Sequence, residues 1–447
     1  MLKIHTKTEN LSSMKKVQLL LCLLLSVLKL SAQNNSFQFV NTDIPNFWKA
    51  YDLIQSTKDT NLHSTILQRE YIDKGSDGLK SLMRVRNYTK SSFLQAMRQY
   101  PRFWNSIRKS SLSVNSKIPD IEKSLNSLRI IYPEAKPATV YFCLGAFRTN
   151  GTIEDNKILI GAEMALTDAN TDISELPENL QTYYKKYHPA ETIDLLVTHE
   201  YIHTQQQLPL DNLLCNSLYE GVAEYLSCLA TGKTSTTPSF GFASANQEKV
   251  KAKYVEDLFL PDRMYNWLWG TNNNELKERD LGYYIGYRIA EEYYRKSPNK
   301  KTAIHDLIQL DFSNDSRVEN IVDSSAYFGK SLATIFSEYE NKRPTVTHVS
   351  PFNNGSKTVD YGKVSITVHF SEPLNKINAG IDFGPLGETY CPKLPPEQRV
   401  WAEDGKSYTL TAELLPGKEY QFLINNNFRN EEGIRLKPFL IEFTTKP

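Results

Sequence analysis

Two histidines four residues apart, with a glutamate beside the first, form the segment His199-Glu200-Tyr201-Ile202-His203. If this segment is helical, both imidazoles lie on one face and can reach the same metal ion. Neutral imidazole is a common ligand of Zn²⁺, and a carboxylate next to such a pair can take a proton from an attacking water molecule. These residues therefore predict one zinc ion per chain, bound by His199 and His203, with Glu200 as the general base of a hydrolysis.

A third ligand is predicted in the segment Tyr219-Glu220-Gly221-Val222-Ala223-Glu224-Tyr225. A catalytic zinc site needs three protein ligands and one position left for water or substrate. Glu220 and Glu224 lie one helical turn apart, so one carboxylate can bind the metal while the other accepts a hydrogen bond from a ligating histidine. We predict Glu220 as the ligand and Glu224 as the support, and the reverse assignment stays open.

Two tyrosines are candidates for stabilising the transition state. Tyr283 and Tyr287 lie four residues apart beside Gly282 and Gly286. A phenol hydroxyl can donate a hydrogen bond to the oxyanion that forms when water attacks an amide. Tyrosines at helical spacing are also common in cores, so packing is the alternative interpretation of this pair.

The elements that must position these residues follow from the spacing of apolar residues. Two runs rich in Val, Ile, Leu and aromatic residues, Thr139–Phe147 and Lys157–Ala165, predict two antiparallel strands with a turn region around Gly151. Helical spacing occurs in an N-terminal helical region and around the site, in Asn46–Gln55, Ser91–Ile107, Ile193–His203, Leu213–Leu229 and Leu281–Lys296. The first part of the chain is therefore predicted to be α+β and mostly helical.

The spacing of apolar residues changes from a helical to a strand pattern near Arg343. Short alternating runs punctuated by Gly and Pro follow, namely Val364–Phe370, Ser407–Leu414, Tyr420–Asn425 and Phe439–Thr444. Such runs predict an all-β sandwich. We expect a catalytic domain over residues 34–343 and a β domain over residues 344–447.

The N-terminus has the pattern of a cleavable export signal. Lys15 and Lys16 precede the apolar run Val17–Leu28, which is too short for a stable membrane anchor, and small residues follow up to Ala32. We expect residues 1–33 to be removed, with Met14 as the true start. The mature protein is then expected to be periplasmic or extracellular and without a transmembrane anchor.

Charge and cysteine usage exclude some classes of function. Lys+Arg 52 against Asp+Glu 51 leaves a net charge of only +1, so no nucleic-acid partner is expected. The cysteines show no C-x-x-C spacing, which argues against a cysteine-ligated zinc site.

The motifs resemble those of the gluzincin metallopeptidases, in which His-Glu-x-x-His is followed by a helix with a ligand glutamate. Glu220-Gly221-x-Ala223 is similar to an element of their aminopeptidase branch, and this resemblance implies that Glu220 binds the metal. It also implies a substrate-binding edge strand at Ile158–Met164.

More of the first domain, about residues 40–340, resembles a family of uncharacterised bacterial proteases that are predicted to depend on zinc. Besides the strands and the zinc motif, the resemblance is carried by Ile44–Tyr51, Tyr71–Leu82 and Gly282–Arg288. It implies a zincin-like peptidase domain with a peptide or protein substrate.

Residues 344–447 resemble a bacterial Ig-like domain of the surface-layer type. The resemblance is carried by Val346–Pro351, by Val368–Leu374 with its Phe-Ser-Glu-Pro-Leu sequence, and by Ile441–Thr445. Members of that family serve as spacers or adhesion modules, which implies contact with the cell envelope.

Taken together, the residues favour a secreted zinc metallopeptidase. The alternative is a catalytically silent envelope binding or assembly protein that keeps a peptidase-like fold. A purely structural zinc site is disfavoured because a closed structural site would not need Glu200.

Overall fold

The computed structural model describes residues 37–270 and 275–447. The predicted export signal lies outside these residues. No helix within the described ranges is long and apolar enough to cross a membrane. The described chain divides into two compact units, the first formed by residues 37–210, Ser217–Ser244 and Tyr283–Ile321, and the second by Asp211–Asn216, Ala245–Gly282 and Val322–Pro447.

The helices and strands are numbered here in chain order. The α-helices are α1 (Asp43–Ser56), α2 (His63–Leu67), α3 (Asp77–Val85), α4 (Lys90–Gln99), α5 (Pro101–Leu112), α6 (Ile118–Ile131), α7 (Ala162–Ala165), α8 (Glu178–Lys186), α9 (Ile193–His203), α10 (Leu213–Thr231), α11 (Ser239–Ala245), α12 (Gln247–Asp257), α13 (Met264–Leu268), α14 (Leu281–Lys296), α15 (Lys300–Ile308), α16 (Asp315–Ser325) and α17 (Leu332–Lys342). The strands are β1 (Gln38–Val40), β2 (Thr139–Cys143), β3 (Gly151–Glu154), β4 (Lys157–Gly161), β5 (Val346–Ser350), β6 (Gly362–Phe370), β7 (Ile381–Phe383), β8 (Arg399–Trp401), β9 (Ser407–Leu414), β10 (Glu419–Ile424) and β11 (Phe439–Thr444).

The first unit contains a four-stranded sheet with the order β1-β2-β4-β3. Strand β2 pairs in parallel with both β1 and β4, and only β3 is antiparallel to its neighbour β4. The prediction of an antiparallel hairpin from the two long runs is therefore wrong. The intervening strand β3 is short and only half-buried, so its sequence lacks the apolar signal that identifies β2 and β4.

The topology also corrects the expected edge strand. Ile158–Gly161 belongs to β4, which lies inside the sheet between β2 and β3, and the chain turns into the short helix α7 at Ala162. The edge of the sheet on the side of β4 is Gly151–Glu154 in β3, and β1 forms the other edge. Strand β4 is easy to recognise in the sequence because an inner strand is covered on both sides and is therefore rich in apolar residues, here Ile and Leu.

The N-terminal helices enclose an aromatic core. The rings of Phe47 and Trp104 lie 4.9 Å apart, and those of Phe47 and Trp48 lie 5.3 Å apart. Both indole N–H groups are satisfied, because Trp48 donates to Ser111 Oγ at 3.0 Å and Trp104 donates to the Ala96 carbonyl. The single helix expected over Ser91–Ile107 is divided at Tyr100, since Pro101 cannot continue the hydrogen bonding of α4 and instead begins α5.

Helix α9 has the bounds predicted for it and is buried on nearly every side, as its apolar sequence requires. It packs against α6 and against strands β3 and β4. Its first turn is anchored by Asp194, which accepts hydrogen bonds from Ser124 Oγ at 2.8 Å and from Lys233 Nζ at 2.6 Å. The helix that carries both histidines is therefore held at its N-terminal end by an ion pair between the buried Asp194 and the exposed Lys233.

The second unit includes helices and two antiparallel sheets. Between its helices, Trp267 Nε1 donates a hydrogen bond to Asp257 Oδ2 at 3.0 Å, and the Trp267 ring packs edge-to-face against Tyr254. The sheets have the orders β5-β6-β9-β8 and β11-β10-β7. One core cluster holds side chains from both sheets, such as Ile366 and Phe422. The predicted fold class is confirmed: an α+β, mostly helical part precedes an all-β region of two packed sheets.

Candidate metal centre

Three nitrogen and oxygen atoms from α9 and α10 converge at one point of the first unit. His199 Nε2 and His203 Nε2 lie 3.0 Å apart, and Glu220 Oε2 lies 3.4 Å from the former and 3.2 Å from the latter. All three side chains are largely enclosed, with His199 8% and His203 6% exposed. The structure thus brings together the three side chains that the sequence predicts as ligands, in a group that could hold a metal ion.

The other nitrogen of His199 binds the second predicted glutamate. His199 Nδ1 lies 2.9 Å from Glu224 Oε2, an oxygen that can only accept when the carboxylate is ionised. The other oxygen of Glu224 accepts hydrogen bonds from the hydroxyls of Ser235 and Thr237, the latter at 3.3 Å. Glu224 is therefore committed to His199 and to the loop after α10, which leaves Glu220 as the carboxylate that faces both Nε2 atoms.

His203 is held in the same orientation by different groups. Its Nδ1 lies 2.8 Å from Gln206 Oε1, while Gln206 Nε2 donates to the Tyr219 carbonyl at 3.1 Å. The Tyr219 ring stacks on the imidazole with centroids 4.2 Å apart. Because the Tyr219 carbonyl fixes the amide of Gln206, its oxygen faces Nδ1, and that nitrogen carries the proton in neutral His203.

The arrangement fits a zinc ion. When both imidazoles are neutral and their Nδ1–H groups donate elsewhere, the two Nε2 lone pairs and Glu220 Oε2 face one another, and a bound cation relieves their mutual repulsion. Ligand atoms about 2.0–2.1 Å from a tetrahedral zinc ion lie roughly 3.3 Å from each other. The observed separations of 3.0–3.4 Å agree with that spacing.

The pKa values of these side chains show the same demand for positive charge. Burial alone would lower the pKa of His199, but hydrogen bonds to Glu220 and Glu224 raise it to about 10. Burial alone would raise the pKa of Glu220, but the adjacent His203 and His199 bring it far below its ordinary value. The carboxylates are therefore kept ionised in a buried setting, as metal ligands must be.

Glu200 is buried beside this group and 7% exposed. Burial raises its pKa, although the neighbouring His203 and His199 oppose the effect. Its carboxylate lies against the first residue of edge strand β3, since a Cβ atom added at Gly151 would meet Glu200 Oε1 at 2.6 Å. A carboxylate with a raised pKa is better suited to accept and release a proton near neutral pH than an exposed one.

Helices α10 and α14 touch through their backbones next to the site. A Cβ atom at Gly221 would lie 2.2 Å from the Gly286 carbonyl carbon, and one at Gly286 would lie 1.7 Å from the Ser217 carbonyl oxygen. Only glycine permits this approach. The contact explains why both helices carry a glycine beside a functional candidate.

The two predicted tyrosines of α14 have different surroundings. The Tyr283 ring stacks over the imidazole of His199, with centroids 6.4 Å apart and planes 18° from parallel. The Tyr287 ring instead packs edge-on against Tyr225 and Phe240 at 5.3 and 5.1 Å. Tyr283 thus lies beside a predicted metal ligand, and Tyr287 lies in an aromatic cluster.

Several residues that shape the site were missed from the sequence. Gln206, Ser235 and Thr237 orient the histidines directly or through Glu224. Gln206 follows His203 by less than one helical turn, which is a usable signal, whereas the loop hydroxyls have no motif. For Gly151, the sequence indicates only a turn region and not a contact with Glu200.

Glu163 is fully enclosed and lies away from solvent at the end of the sheet. Its carboxylate accepts hydrogen bonds from the backbone N–H groups of Gly145 at 2.7 Å and Phe147 at 3.0 Å. Burial raises its pKa to about 7, although these two N–H groups oppose the effect. Glu163 therefore organises the loop between β2 and β3.

Comparison with known proteins gives a family match for part of the chain. A family described as "Predicted Zn-dependent protease (DUF2268)" matches residues 166–312. The matched segment contains helices α9, α10 and α14, and hence all the residues of the candidate site named on them. The segment that carries the site is thus similar to a family of predicted zinc-dependent proteases. No curated protein matches the chain.

Among solved structures, two matches are surface-layer proteins. "Crystal structure of the S-layer protein rSbsC(31-844)" is 13% identical with a TM-score of 0.18, covering 90% of this chain and 45% of that one. "Structure of surface layer protein SbsC, domains 1-6" is 16% identical with a TM-score of 0.18, covering 64% of this chain and 44% of that one. The chain thus spans less than half the length of either protein.

Proposed function

We propose that this protein is an exported zinc metallopeptidase of the gluzincin type that hydrolyses peptide bonds. The observation that carries the proposal is the convergence of His199 Nε2, His203 Nε2 and Glu220 Oε2 within 3.4 Å of one another, with the Nδ1 atoms of both histidines engaged elsewhere. Such a group binds a cation, and Glu200 beside it has the character of a general base. The similarity to zinc proteases over residues 166–312 supports the same class.

A zinc ion held by His199, His203 and Glu220 would lower the pKa of water and polarise the carbonyl of a peptide bond. The chain's own base is the carboxylate of Glu200. It takes a proton from the attacking water and passes it to the leaving nitrogen of the cleaved bond. Its burial raises its pKa, which makes it a stronger base for the first transfer, from the attacking water, than an exposed glutamate would be.

Edge strand β3 is the proposed docking site of the substrate backbone. It pairs with β4 on one side only, and its first residue contacts Glu200. An extended peptide can add to such an edge through main-chain hydrogen bonds, which would place its carbonyl groups near the base. The hydroxyl of Tyr283, from the opposite helix α14, is the proposed donor to the oxyanion.

The remaining predictions enter as parts of the same proposal. Residues 1–33 would direct export and be removed, so that the enzyme acts in the periplasm or outside the cell. Residues 344–447, with four strands in one sheet and three in the other, would form an Ig-like module that contacts the cell envelope. The substrate would be a peptide or protein.

The experiment is a side-by-side measurement on purified residues 34–447 and the variant Glu200→Gln. Zinc content is measured by atomic emission, and cleavage is measured on a complex peptide mixture by mass spectrometry. We expect one zinc ion per chain in both proteins and cleavage only by the wild type, because glutamine keeps the shape of Glu200 but cannot accept the proton. Zinc without cleavage by either protein would favour a silent binding protein, and absence of zinc would overturn the proposal.

A further inference from the structure

Arg86 is a half-buried arginine beside the segment that leads into edge strand β3, and it lacks an acidic partner in the described part of the chain. It ends helix α3, and its side chain forms no ion pair or hydrogen bond within the described ranges 37–270 and 275–447. Its Nε atom is enclosed without an acceptor, whereas the Nη atoms keep access to solvent. Two residues earlier, Arg84 makes an ion pair with Glu154 at 2.6 Å. Of these two arginines, Arg86 is thus the one left without a carboxylate.

The backbone places Arg86 at the start of edge strand β3. Arg148, which precedes that strand in the chain, donates from Nη1 to the carbonyls of Arg86 and Asn87 at 2.8 and 2.7 Å. The strand that begins at Gly151 then contacts Glu200.

A guanidinium whose solvent-accessible Nη atoms have no acidic partner among the described residues is free to bind an acceptor from a ligand. Its enclosed Nε limits the freedom of the side chain, so little entropy is lost when a ligand binds. The two Nη atoms present a planar fork that matches the two oxygens of a carboxylate. The ligand must approach along β3, where the proposed function places the substrate.

We propose that Arg86 binds a carboxylate of the substrate, so that the enzyme prefers peptides with an acidic group near the cleaved bond. This inference rests on the proposed function. The carboxylate has two sources, an Asp or Glu side chain or the free C-terminus of the peptide. The chemistry is the same for both, and the experiment separates them.

The test compares wild type, Arg86→Met and Arg86→Lys, with Arg98→Met as the control. Arg98 is an exposed arginine whose Nε binds only a carbonyl of its own helix. Cleavage sites in a peptide mixture are mapped first. The best substrate is then made in paired forms, with the acidic residue or its amide and with a free or amidated C-terminus, and kcat/KM is measured for each.

We expect wild type and Arg98→Met to favour the acidic form by about ten- to hundredfold, the range for a hydrogen bond to a charged group. Arg86→Met should lose this preference while cleaving the amide form nearly as well as wild type. Arg86→Lys should keep only part of it, because an ammonium cannot form the two-pronged contact. If kcat/KM differs between the acidic residue and its amide, the bound carboxylate is a side chain. If it differs between the free and the amidated C-terminus, the bound carboxylate is the terminal one.

Two results would overturn the inference: a wild type that does not discriminate between the paired peptides, or an equal loss on all peptides in Arg86→Met. The second would mean that Arg86 acts only through Glu200, and the acidic limb of the pH–rate profile would then shift.

A separate binding assay distinguishes failure of this inference from failure of the proposed function. Zinc-loaded Glu200→Gln is titrated with fluorescein-labelled decapeptide pools of Ala, Leu and Phe with a central Asp or Asn. If the Asp peptides bind more tightly than the Asn peptides, and adding Arg86→Met abolishes the difference, recognition of a carboxylate by Arg86 is supported even where no peptide is cleaved. Equal binding of the Asp and Asn peptides contradicts the inference.

Discussion

Gly151 and Glu200 are in direct contact: a Cβ atom at position 151 would stand 2.6 Å from Glu200 Oε1 and 2.8 Å from its Cγ. Strand β3 can therefore lie against the base only because its first residue has no side chain. The contact joins the edge of the sheet to the proposed proton acceptor, so a side chain at position 151 should disturb catalysis without disturbing metal binding.

Replacing Gly151 by alanine should displace the Glu200 carboxylate and lower kcat by roughly 10- to 100-fold, as expected for a misplacement of about 1 Å. Zinc content should be unchanged, because Glu200 is not a ligand in the proposed site. Steady-state kinetics and metal analysis check this together. Gly241→Ala is the matched control, since a Cβ there meets no atom within 4 Å. Equal kcat values for the two variants would show that the contact has no catalytic role.

Glu224→Gln should weaken zinc affinity by roughly 10- to 100-fold, since the carboxylate that orients the ligating His199 is lost. Glu220→Gln should weaken it far more, because a ligand is removed. Competition with a chromogenic chelator measures both. The opposite ranking would mean that the two glutamates have exchanged roles.

Tyr283→Phe and Tyr287→Phe are a matched pair that tests the donor to the oxyanion. Tyr283 stacks beside His199, whereas Tyr287 packs against Tyr225. We expect Tyr283→Phe to lower kcat by at least about tenfold without raising KM, and Tyr287→Phe to stay within about twofold of wild type. Thermal unfolding of both variants separates catalytic loss from instability. If Tyr287→Phe were the slower enzyme, the assignment would be wrong.

Glu163 should make stability fall as the pH rises. Its pKa is about 7 in the folded protein against 4.5 ordinarily, so the folded state binds the proton more tightly than the unfolded state. Its contribution is complete below pH 4.5 and is lost as the pH rises through 7, by roughly 3 kcal/mol in total at 1.36 kcal/mol per pKa unit.

Glu163→Gln imitates the protonated form and should reduce this slope. Urea unfolding of both proteins between pH 4.5 and 8 measures the difference in the free energy of unfolding. The gap between variant and wild type should shift in favour of the variant with increasing pH. Parallel curves for the two proteins would show that the carboxyl group is not the cause.

Local patterns sufficed to predict much of this protein. The bounds of α9 and α14 follow from apolar spacing, and the strands β9 and β11 from alternation, because helix and strand periodicity is written in neighbouring residues. The convergence of His199, His203 and Glu220 was also predictable, since helical spacing places each candidate on one face.

Pairing between distant segments was decided only by the tertiary structure. Strand β2 pairs in parallel with β4 rather than as a hairpin, and the half-buried β3 takes the edge beside Glu200. The tertiary structure alone also places the Ser235 hydroxyl against the Glu224 carboxylate and Arg86 beside the segment that leads into β3. Periodicity reports which side of an element is buried, but the neighbour that covers that side is chosen by packing across the chain, and that choice leaves no local pattern.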